Sequence, residues 1–70
     1  MNLRIKELYL EAAKWADQQD EDLIAKMLIR DEKFAELIVR ECTNVVGTAV
    51  DQREPASTYV GKIKQHFGVE

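Results

Sequence analysis

Seventy residues, 46% of them hydrophobic and 33% charged, with a net charge of −3, describe one small folded domain rather than a disordered tail. A single cysteine excludes an internal disulfide, and one cysteine with one histidine cannot complete a four-ligand zinc site within one chain. The acidic balance leaves no basic footprint for a phosphate backbone, so DNA is a disfavoured partner.

A chain this short buries a modest share of its unfolded surface, so helix packing and self-association are its remaining supports. The N-terminal "MNLRIKELYLEAAKW" is interrupted by charge every few residues and does not read as a signal peptide. No stretch approaches the roughly 20 apolar residues of a membrane span. The expected compartment is a cytosol that keeps the thiol reduced.

The first helix is expected over about 2–17, with Asn2 as its N-cap. Ile5, Leu8, Tyr9, Ala12, Trp15 and Ala16 recur at the spacing of one helical face. Leu3 and Leu10 share a different face, seven residues apart, which points to a subunit or partner contact. Tyr9 and Trp15 read as core aromatics of a small bundle, or as contacts on a binding face.

"DQQDED", Asp17 to Asp22, ends that helix or starts the next, with Asp20 as the expected cap. Leu23, Ile24, Met27 and Leu28 then form one apolar face, and Asp22 with Lys26 makes a favourable pair one turn apart. One long helix over 21–50 would place Asp31 and Glu41 in a seam with Ile24, Met27, Phe34, Ile38 and Val45. Unpaired acids in such a seam are costly. The expectation is therefore a break near Arg30–Asp31, with helices over about 21–30 and 31–50.

Phe34, Leu37, Ile38, Cys42, Val45 and Ala49 make the broadest stripe, widened by Ala35, Val39 and Val46. A stripe that wide packs against two neighbours, so this helix should be central. Glu36 and Arg40 fall on its solvated side. "DQREPAS" is the clearest connector, because Pro55 disfavours helix at Glu54. A last helix over about 56–67 should turn Ala56, Val60, Ile63 and Phe67 inward. Gly68 is expected in the left-handed position, with Val69 folding back onto Ile63.

The chemistry is sparse. Cys42 lies on an apolar face, where a thiol acts as a small hydrophobe rather than a nucleophile. His66, the only histidine, sits where positive charge suits a helix C-terminus, or could reach a metal or ligand between subunits. The carboxylates of Glu7, Glu11, Glu32 and Glu36 fall on solvated faces, not in a cleft that separates their pKa values. "DQQDED" is no calcium loop, since Ile24 and Ala25 stand where an oxygen ligand and a glycine belong. No catalytic set, cofactor site or metal site is expected, and the protein is not expected to be an enzyme. Glu41 stays open: it reaches water at the edge of the stripe, or pairs with a cation such as Arg4, Arg30, Arg53 or Lys62, within the chain or across subunits.

"KFAELIVREC" (Lys33 to Cys42) and "IKQHFGVE" (Ile63 to Glu70) resemble the ending of short uncharacterised proteins of tailed bacteriophages. The likeness covers about a quarter of the chain. It implies a phage accessory protein acting in the host bacterial cytoplasm, and it carries over no site residues.

The expected architecture is an all-α bundle of three to four helices, completed by homo-oligomerisation with a dimer favoured. The expected function is non-enzymatic binding of a host or phage protein through a helical surface, with Leu3, Leu10, Tyr9, Trp15 and Glu41 as contacts. The alternative is an anti-defence binder that sequesters a nucleotide signal in inter-subunit pockets. Arg4, Lys6, Arg53, Lys62, Lys64 and His66 would then meet the anion.

Overall fold

The computed structural model describes residues 3–69. The expected cap at Asn2 lies outside them. The described chain is all-helical: α1 spans Leu3–Asp17, α2 spans Leu23–Asp51 and α3 spans Tyr59–Phe67, with a 3-10 turn at Ala56–Thr58 leading into α3. There are three helices, not four.

The first helix buries Leu8, Ala12 and Ala16, one turn apart along a single line. Small Ala side chains at two of these positions let α1 lie close against α2. Ile5 packs at the same interface. Tyr9 meets Phe34 of α2 edge-on, ring centroids 5.4 Å apart, and Arg30 lies 5.2 Å over the Tyr9 ring. Trp15 does not take the core position that is one of its two readings. It keeps 39% of its surface exposed, and Lys33 covers part of the ring at 4.9 Å.

The cap of α2 is Asp22 rather than Asp20. Its Oδ1 accepts the Ala25 amide at 2.8 Å, three residues on. Capping occupies the Asp22 carboxylate, and Lys26 sends its ammonium to the Asp17 carbonyl at 3.3 Å instead.

The expected break near Arg30–Asp31 does not occur. Asp31 turns outward, with 63% of its side chain exposed and the Arg30 Nε 3.1 Å from its carboxylate. Glu41 is ion-paired. Neither acid is therefore an unpaired buried charge, and no glycine or proline between Leu23 and Val46 gives the helix another reason to stop.

Both later turns close by the same device. At the end of α2, the Glu54 amide reaches the Ala49 carbonyl and the Arg53 amide reaches the Val50 carbonyl. Arg53 stands between them at φ 58°, in the left-handed region. At the end of α3, Gly68 takes φ 66°, its amide bonds the Gln65 carbonyl, and the Val69 amide bonds the Lys64 carbonyl. These are paired Schellman closures. Glycine meets the second at no steric cost, whereas Arg53 meets the first against its preference.

Leu8, Ala12, Leu37 and Phe67 form the core, with Ile5, Phe34, Ile38, Cys42 and Ile63 packed on it. All three helices contribute. The inward reading of α3 holds for Phe67 and Ile63, but Ala56 is exposed and Val60 is 63% exposed. Only the C-terminal half of this nine-residue helix reaches the core.

Candidate functional site

Each helix sends one polar side chain to the same point. Arg4 comes from the start of α1, Glu41 from the middle of α2 and His66 from the end of α3. The Arg4 Nε donates to Glu41 Oε1, and the His66 Nε2 lies 3.0 Å from the same oxygen. Arg4 also has a guanidinium nitrogen 3.5 Å from Glu7, one turn along α1.

Burial makes this junction matter. The Glu41 side chain is only 15% exposed, whereas those of Arg4 and His66 are each 37% exposed. A carboxylate held that far from water needs partners. The hydrogen bond from Arg4, reinforced by that from His66, outweighs desolvation and lowers the Glu41 pKa to about 2. The same hydrogen bond raises the Arg4 pKa. Glu41 thus pairs within its own chain, and the arrangement pins three helices at one atom. Sequence periodicity places Glu41 at an edge. It cannot say that the first turn of α1 and the last turn of α3 end there.

Beside this junction a groove of about 480 Å³ runs between α2 and α3. Its lining includes Glu41, Asn44, Gln52, Glu54, Lys62 and His66. Lys62 Nζ lies 2.7 Å from Glu54 Oε1. Of the six residues expected to meet an anion, Lys62 and His66 line the groove, and each is matched there by a carboxylate. Arg4 is engaged by Glu41 and Glu7, while Lys6, Arg53 and Lys64 are exposed outside it. Within one chain the six do not come together in one cationic pocket; the expected pocket lies between subunits.

The expected contact residues divide. Leu3 and Leu10 are 72% and 56% exposed, turned away from the Leu8–Ala12–Ala16 line. Trp15 is partly exposed at the end of α1. Tyr9 is taken up by Phe34 and Arg30, and Glu41 by Arg4 and His66. Cys42 packs against the core with a free thiol. Among the described residues, no three His, Cys, Asp or Glu side chains are grouped to hold a metal ion, the "DQQDED" acids included. No helix among the described residues is long and apolar enough to cross a membrane.

No known family, curated protein or solved structure matches this chain.

Proposed function

We propose that this chain is a non-enzymatic binding protein that engages a host or phage protein through a helical surface. The observation that carries this reading is the outward face of α1, where Leu3 and Leu10 stand exposed on the side opposite the core. Two large aliphatic side chains on one face, seven residues apart, match the way an amphipathic helix is read by a protein groove. At the three-helix junction and in the groove the charged groups are matched: Glu41 by Arg4 and His66, Glu54 by Lys62. The phage setting and the bacterial cytoplasm rest on the resemblance of "KFAELIVREC" and "HFGVE" alone.

The test is capture from infected host lysate by the intact chain and by a Leu3→Asp, Leu10→Asp variant that keeps its helical circular dichroism. The expected result is a defined protein retained by the wild type and lost by the variant. Retention by both, or turnover of any substrate by the purified chain, would overturn the reading. A melting temperature raised by cyclic nucleotides would favour the nucleotide-sequestering alternative.

A further inference from the structure

Among the described residues, the outward side of α2 carries a second apolar line that is exposed along most of its length, with Val46 half-buried. Ile24, Leu28, Ala35, Val39, Val46 and Val50 lie along it, spaced alternately four and seven residues apart. That spacing keeps them on one face of a helix. Ile24, Leu28 and Val39 are each about two-thirds exposed or more, and Val50 is half exposed. Thr43, beside them, donates its hydroxyl to the Val39 carbonyl at 2.6 Å, so its polar group is satisfied inside the helix.

The shape of the chain shows how much surface is left uncovered. Its extents are 46 × 22 × 13 Å, so it is elongated along α2. The radius of gyration is 14.7 Å, against about 11 Å for a compact domain of this length. The accessible surface is 5324 Å² for 8.1 kDa, whereas a compact monomer of that mass exposes about 4,500 Å². The surplus, roughly 800 Å², equals one partner's share of a standard stable interface.

The line is symmetric. Ile24 and Val50, Leu28 and Val46, and Ala35 and Val39 each lie at equal distances from Leu37, the midpoint of Leu23–Asp51. We propose that this face of α2 receives a second copy of the chain, packed antiparallel about a twofold axis at the level of Leu37. Ile24 then faces Val50 of the second copy, Leu28 faces Val46, and Ala35 faces Val39. Both helices overlap along their full length, as a self-complementary interface requires.

Charge selects the antiparallel sense. Ala35 and Val39 sit in a shallow outward depression bordered by Glu32, Glu36, Arg40 and Thr43. Antiparallel packing brings Arg40 alongside Glu32 and Glu36 of the other copy, twice over. Parallel packing sets the Glu32–Glu36 edge against Asp31 of the other copy, acid against acid. This proposal does not rest on the α1 face assigned above to a different protein.

Sedimentation equilibrium of the intact chain at tens of micromolar tests it. The wild type is expected at twice 8.1 kDa. Val39→Glu, at an exposed position, should keep its helical circular dichroism and weaken the dimer by at least about 100-fold, because two charges meet at the centre of the interface. Arg40→Glu should weaken it about tenfold, and adding Glu36→Arg should restore it. A monomeric wild type, or a Val39→Glu dimer as tight as the wild type, would overturn the proposal and leave the α1 reading standing. Failure of Glu36→Arg to restore Arg40→Glu would overturn the antiparallel arrangement.

Discussion

Replacing Glu41 with glutamine tests the three-helix junction. The substitution keeps the shape and one acceptor oxygen but removes the charge shared by Arg4 and His66. Holding the carboxyl at about 2 rather than 4.5 favours the folded state at neutral pH by at most roughly 3 kcal/mol. Both partners are more than one-third exposed, and solvent screening reduces the expected loss to about 1–2 kcal/mol. In a domain of this size that is roughly 5–15 °C in melting temperature.

The pH dependence gives the sharper check. A depressed carboxyl pKa contributes stability that is complete above the unfolded value and lost as pH falls through the folded value. The wild type should therefore exceed Glu41→Gln above the ordinary carboxylate range, where Glu41 is ionised whether folded or unfolded. That margin should shrink as pH falls from about 4.5 and vanish only below about 2. Urea unfolding of both proteins, at one concentration and a series of pH values, measures it. Equal stability at neutral pH would refute the junction. A gap that persists undiminished at the acid end would show that the loss is steric rather than electrostatic.

Three further outcomes follow from the packing. Leu8→Ala, at a position 2% exposed, should lose about 3 kcal/mol, a large part of the roughly 4–10 kcal/mol available to a chain this long; urea unfolding reads it. Arg53→Gly should raise the unfolding free energy read from the same transition by about 0.5–1 kcal/mol, because glycine takes the left-handed conformation freely. The Cys42 thiol, packed against the core, should react with a disulfide reagent at least about tenfold faster in urea than in the native protein.

Much of the fold was legible because it depends on local rules. The Ile5–Leu8–Ala12–Ala16 face follows from helical period, the connector from Pro55, and the closing turn from Gly68. The length of α2 was not, since it depends on where two acids end up. A pattern marks Asp31 and Glu41 as near a seam, but it cannot show that one turns to water while the other finds Arg4 and His66. The left-handed turn at Arg53 left no trace in composition, because the residue there is not glycine. Val60 and Ala56 share a period with Ile63 and Phe67, yet α3 reaches the core only near its end. For the candidate contacts the result is similar. Leu3 and Leu10 stand out by spacing and remain exposed, whereas Tyr9 and Glu41 are absorbed by neighbours that no spacing names.

In the function proposed above, this chain acts through apolar helical faces rather than through a chemical site. Native mass spectrometry of the intact chain recovered from infected host lysate tests that most directly. The predicted species is two copies of the chain bound to a second protein, with the second protein lost from Leu3→Asp, Leu10→Asp and the pairing lost from Val39→Glu. A lone 8.1 kDa chain, or one carrying only a small-molecule ligand, would contradict it.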